Sequence, residues 1–184
     1  AGRVIYQDLL IVNKAITDKE LDKNPVLLDA IQYAKSNNRN FHLIGLVSDG
    51  GVHSHIDHLK GICSIIHNNG IKNLFVHAFT DGRDTDPKGG IGYLKDLQDH
   101  LRQTSGKIAS VVGRYFAMDR DRRWERVKLA YDLLVHGTGE AATDVLAAVQ
   151  KSYDNNVTDE FIKPIVMVEN GKPVATIQEG DDAL

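Results

Sequence analysis

Three segments of this 184-residue chain place charged side chains directly after an apolar run. In FVHAFTDGRDTDP, residues 75–87, the run stops at Phe79, and Asp81, Gly82, Arg83, Asp84, Thr85 and Asp86 follow within six positions. GRYFAMDRD brings Arg114, Asp119 and Arg120 after the apolar IASVV, and SDGGVHSH brings Asp49 and His53 after FHLIGLV. Guanidinium groups grip carboxylates and phosphates through paired N–H donors. Arg83, Arg114 and Arg120 converging on one crevice would suit a small anion with more than one acidic group. Each arginine taken singly would be equally served by a neighbouring aspartate. Asp84, beside Arg83, is the candidate acid/base, because a carboxylate among bound anions and cations can exchange a proton with a substrate hydroxyl. The bland reading of Asp84 and Asp86 is a helix cap, and Asp86, just before Pro87, takes it. His53-x-His55 also fits a metal-dependent hydrolase, although that pattern belongs to barrels of roughly 250 residues.

The elements that must position these residues follow from periodicity. FHLIGLV, LFVHAFT and IASVV are near-continuous apolar runs of strand length. Ile56, Leu59, Ile62 and Ile66 form a helical stripe after the first run; Leu94, Leu97 and Leu101 form one after the second. Trp124, Val127, Tyr131 and Leu134 share a face after the third, with Trp124 and Tyr131 expected in the core. Strand and helix alternating three times predict an α/β fold: a mainly parallel sheet with helices on both faces. In such sheets the loops leaving the carboxyl ends of the strands share one ligand crevice. Upstream, apolar positions 5, 9, 12 and 16 predict an opening helix, and Asn24-Pro25 reads as the cap and first residue of the next. Downstream, Leu146, Val149 and Tyr153 mark a further helix, and PIVMV-ENGK-PVATI a C-terminal β-hairpin. Gly50-Gly51 would let backbone approach a ligand, His58 would face solvent, and Met118 would fill a gap.

Composition narrows the function. The 22 basic and 25 acidic residues give a net charge of −3, without the basic excess of a general nucleic-acid binder. No apolar run is long enough to span a bilayer. Cys63 is the only cysteine, so no intrachain disulfide forms, and a reducing, cytoplasmic setting is the expectation. No GxGxxG follows a strand, so no dinucleotide fingerprint is present. The chain opens on Ala1 rather than Met and closes on Asp181-Asp182-Ala183-Leu184, which reads as a piece of something longer.

LVSDGGVHSH, HAFTDGRDT and GRYFAMDRDRRWERV, together with AGRVIYQDLL, TDEFIKPIV and PVATIQEGDDA, resemble the cofactor-independent (2,3-bisphosphoglycerate-independent) phosphoglycerate mutases in order along the whole chain. The resemblance implies a two-domain enzyme that interconverts 3-phosphoglycerate and 2-phosphoglycerate in glycolysis and gluconeogenesis through a phosphoserine. It implies that residues 1–184 are the single phosphotransferase domain, excised from that enzyme, with His53, Arg83, Asp84, Arg114 and Arg120 as substrate contacts and Asp84 catalytic. The nucleophilic serine, two Mn(2+) ions and an Arg-x-x-Arg run would lie outside this chain, the metals in the other domain of the same polypeptide. The fragment would then bind no metal itself and be inactive alone. The competing reading is a stand-alone binding module for a small phosphorylated or carboxylated ligand.

Overall fold

A computed structural model describes residues 7–184. The chain enters through helix α1 (Asp8–Thr17) and a short 3₁₀ turn at 21–23; position 5 of the expected opening helix lies outside the described residues. Helix α2 (Pro25–Ser36) starts where the sequence places it: Asn24 Oδ1 accepts the Leu27 N–H at 3.1 Å, and Pro25 takes the first position, where no N–H is needed. The three apolar runs become β1 (Phe41–Leu46), β2 (Leu74–Thr80) and β3 (Gly106–Gly113). They are joined by α3 (Ile56–Asn68) and α4 (Gly90–Leu101). All three strands are parallel, with Phe41 beside Leu74 and Leu74 beside Gly106.

After β3 come α5 (Arg114–Ala117), α6 (Trp124–His136), β4 (Glu140–Ala142) and α7 (Val145–Asp154). A second 3₁₀ turn occupies residues 159–161, followed by β5 (Ile165–Glu169), β6 (Lys172–Pro173) and β7 (Asp182–Ala183). The described residues form one seven-stranded sheet in the order β4-β5-β3-β2-β1-β7, with β6 paired to β5. The sheet is mainly parallel, but β5 runs antiparallel to β3. The hairpin exists around Asn170 and Gly171, both with positive φ, yet its second arm is only β6; PVATI does not continue as a strand.

Helices cover both faces. On one, α2, α3, α4 and α7 bury Leu27, Ile31, Ile66, Leu94, Leu97, Val149 and Tyr153 against Phe41, Leu43, Leu74, Val76 and Ile108. On the other, α5 and α6 pack Phe116, Ala130 and Leu133 over Leu46, Phe79, Val112 and Val166. Two expected core residues are not there. Trp124 is 70% exposed and Tyr131 56% exposed, because the buried face of α6 is set by Ala130 and Leu133, which point away from the side of the helix that the two aromatics share. His58 does not face solvent freely either: its Nε2 contacts Asn13 Oδ1, helping hold α1 against α3. Met118 packs at the edge of the α6-side core, as a gap-filler would.

Candidate functional site

Because β1, β2 and β3 are parallel, the loops after them emerge at one edge of the sheet. Each strand ends in buried apolar residues, and the chain turns polar where it leaves the core. The loop after β2 is built on Asp81. Its side chain is nearly inaccessible and accepts four donors: Ser48 Oγ at 2.7 Å, the Asp84 N–H at 3.0 Å, the Arg83 N–H at 3.2 Å and Arg114 Nη1 at 2.7 Å. Burial pushes the Asp81 carboxyl up, but these hydrogen bonds to its charged form outweigh burial and hold it below the usual range. Asp81 therefore stays ionised and acts as the anchor of the loop. Ser48, spent on Asp81 and buried, is no candidate nucleophile.

Arg114 opens α5 directly after β3 and is itself buried. Its Nη1 also donates to Asp84 Oδ2 at 2.6 Å. Burial alone would lower this guanidinium; the bonds to Asp84 and Asp81 reverse that and raise it. Two aspartates thus occupy one terminal nitrogen, and the rest of the five-donor fork is available for a ligand. Asp84 is the more exposed of the pair, with His53 Nε2 3.9 Å from its Oδ2.

A cleft of about 150 Å³ is lined by His53, Arg83, Arg114, Arg120, Tyr115 and Glu160, among others. The structure thus brings all three arginines and His53 to one crevice from three loops, with Asp84 bound to Arg114 at its edge. Arg83 has only Glu160 beside it, at 4.0 Å, and Arg120 has no hydrogen-bond or ion-pair partner among the described residues. Arg120 is thus uncommitted, and Arg83 is held only by one long ion pair. Arg126 is different: it pairs with the buried Asp119 at 3.3 Å and lies 3.9 Å over the Tyr115 ring, forming a wall rather than a grip.

Several local expectations need correction. Asp86 does not cap α4; it accepts the Lys88 N–H in its own turn, and the first N–H of α4, at Gly90, goes to Asp159. A Cβ at Gly50 would lie 3.2 Å from Asp84 Cβ and Thr85 Cγ2, so this glycine lets the two loops pack closely. His53 and His55 do not form a pair, since His53 turns to Asp84 while His55 Nδ1 accepts the Asp57 N–H at the start of α3. Among the described residues no group of three or more His, Cys, Asp or Glu side chains is placed to hold a metal ion. No helix among them is long and apolar enough to cross a membrane. Tyr115, Glu160 and Asp159 were not singled out from the sequence. Glu160 comes from a segment distant in sequence, the 159–161 turn, and among the sequence motifs it appears only within TDEFIKPIV.

Comparison with known proteins gives consistent matches. The family model for the BPG-independent PGAM N-terminus matches residues 12–184. The 2,3-bisphosphoglycerate-independent phosphoglycerate mutase of Flavobacterium johnsoniae is 58% identical over 182 residues, covering 98% of this chain and 36% of that protein. Its counterpart from Parabacteroides distasonis is 57% identical over 181 residues, with the same coverage of 98% and 36%. Among solved structures, Leishmania mexicana phosphoglycerate mutase, crystallised at low cobalt concentration, matches with a TM-score of 0.91 at 31% identity. That match covers 100% of this chain and 35% of the other. The chain spans little more than a third of the length of the curated relatives it matches.

Proposed function

The chain belongs to the family of N-terminal domains of BPG-independent phosphoglycerate mutases, and from that premise we propose that it is the substrate-gripping domain of such an enzyme. The observation that carries this reading is the cleft itself: Arg83, Arg114 and Arg120 from two loops, with His53 from a third, around one small space. Phosphoglycerate has a carboxylate and a phosphate, and the dephosphorylated glycerate keeps the carboxylate. The uncommitted Arg120, the loosely paired Arg83 and the partly committed Arg114 match that demand. In the proposed reaction the phosphoryl group passes to a serine outside this chain while glycerate is held and reoriented. Asp84, fixed by Arg114 and bordered by His53, gives a proton to the glycerate oxygen that the phosphoryl group leaves, and takes one back from the other hydroxyl as that oxygen attacks the phosphoserine. The grip gains strength where water is excluded, as when a second domain of the same polypeptide closes over the cleft.

Manganese in that second domain is part of the same proposal. The described residues of this chain do not fit a metal site, and no step assigned here passes through one.

The test uses the full-length protein and 3-phosphoglycerate. Arg114→Ala and Arg120→Ala should each reduce kcat/KM about ten- to a hundredfold, since a charged hydrogen bond contributes roughly 1.5–3 kcal/mol. Arg120→Lys should restore little, because a single ammonium does not reproduce the planar fork. Turnover unchanged in all three variants would refute the grip.

A further inference from the structure

The 159–161 turn is wedged between the two loops that carry the cleft, and its backbone is bound to both. Thr80 Oγ1 donates to the Asp159 carbonyl at 2.7 Å, and the Asp159 N–H donates to the Pro87 carbonyl at 2.9 Å. On the other side the Gly113 N–H donates to the Ile162 carbonyl at 2.8 Å. The Asp159 side chain is fully buried, and its two oxygens serve different helices. Oδ2 accepts the Gly90 N–H of α4 at 2.7 Å, while Oδ1 accepts the Tyr153 hydroxyl of α7. Tyr153 in turn accepts the Ile91 N–H at 3.2 Å.

The loops are shaped to receive this turn. At Gly82, with φ +65°, a Cβ would lie 2.8 Å from both Asp159 Cβ and Glu160 N. A Cβ at Gly113 would run into the Glu160 carbonyl. Gly82 immediately precedes Arg83, and Gly113 immediately precedes Arg114. The same turn presents Glu160 to Arg83 and packs Phe161 against Tyr115 in a tilted ring contact, with centroids 5.1 Å apart.

We propose that Asp159 is a positioning residue of the anion cleft, which through the 159–161 turn fixes the loop bearing Arg83 and Asp84 relative to the strand end bearing Arg114. It touches no substrate. Its carboxylate is the joint where α4, α7 and the turn meet, and both arginine-bearing backbones rest on that turn. The role in turnover rests on the phosphoglycerate reading above; the role in loop order does not.

Two readouts on the full-length protein separate them. The first is amide hydrogen exchange at Arg83 and Asp84, whose N–H groups Asp81 holds. Asp159→Ala should speed exchange there selectively and leave the β1 amides protected. Tyr153→Phe, which removes one of the two bonds to the carboxylate, should do the same more weakly and covers the case where Asp159→Ala does not fold. The second is kinetics with 3-phosphoglycerate. Asp159→Ala should lower kcat/KM about a hundredfold, the scale of a misplaced reacting group, and its effect should be non-additive with Arg83→Ala. Asp159→Asn should recover part, because the Tyr153 hydroxyl can turn to accept from the new amide. Unchanged exchange at Arg83 and Asp84 in both Asp159→Ala and Tyr153→Phe would overturn the proposal. So would kinetic losses strictly additive with Arg83→Ala. A parent protein without phosphoglycerate turnover would refute the functional reading instead, with exchange still deciding the positioning.

Discussion

At the scale of single residues, two aspartates three positions apart do different work. Asp81 is saturated with donors and buried; Asp84 has one strong partner, Arg114, and an open side toward His53. Of the two, Asp84 is the one with an open side, and the proposed reaction gives it the proton-carrying role. Asp84→Asn in the full-length protein keeps the size and removes the exchangeable proton, so kcat should fall by ~10²–10⁴ with KM changed only modestly. A rate within a few-fold of the parent would make Asp84 a structural partner of Arg114. The site arginines were legible because their loops interrupt apolar runs abruptly, and that break is local in sequence. The partner of each arginine was not. Asp81 and Arg114 lie 33 positions apart, and Asp159 and Gly90 lie 69 apart; no local pattern encodes such a contact.

At the scale of elements, the strands β1, β2 and β3 and the stripes of α3, α4 and α7 were legible because burial on both faces leaves continuous apolar runs and one-sided helices leave a period. Helix α6 was misread in phase: Trp124 and Tyr131 suggested a core face, but small and aliphatic residues such as Ala130 and Leu133 fit closer to the sheet. The start of α4 was misread for another reason. The sequence offered a nearby aspartate, and the fold used a distant one. Where capping is local it was read directly, as at Asn24, which gives a clean test. Asn24→Ala removes the acceptor for the Leu27 N–H and leaves Pro25 in place. It should cost the 184-residue chain ~1 kcal/mol in urea unfolding. No measurable loss would mean that the start of α2 is held by Pro25 and packing alone.

At the scale of the whole molecule, a buried polar ladder crosses the sheet and ties the C-terminal segment to its centre. Ser110 Oγ lies 2.7 Å from His77 Nδ1, His77 Nε2 lies 2.9 Å from His42 Nδ1, and His42 Nε2 lies 3.2 Å from Asp181 Oδ2. Asp181 also accepts the Asn40 and Gln178 N–H groups, so the ladder anchors the chain just before β7. Burial first, and the neighbouring His42 second, push His77 from its ordinary 6.5 down to about 3. The unfolded chain therefore binds a proton that the folded chain refuses between those values. Stability from this group is complete above pH 6.5 and drains away as the pH falls toward 3. Between pH 7 and pH 5 the loss is about 2 kcal/mol. Asp81, held low, loses its contribution only at more acidic pH, and Asp159, raised mainly by burial, acts in the opposite sense. A difference between parent and variant isolates the histidine. His77→Gln can keep hydrogen bonds to Ser110 and His42 but cannot titrate. Urea unfolding of the 184-residue chain should show the parent losing about 2 kcal/mol more than the variant between pH 7 and pH 5. Equal losses in the two proteins would mean that His77 protonates as readily in the folded sheet as in the unfolded chain, leaving His42, also held low by burial, as the ladder's acid-sensitive member.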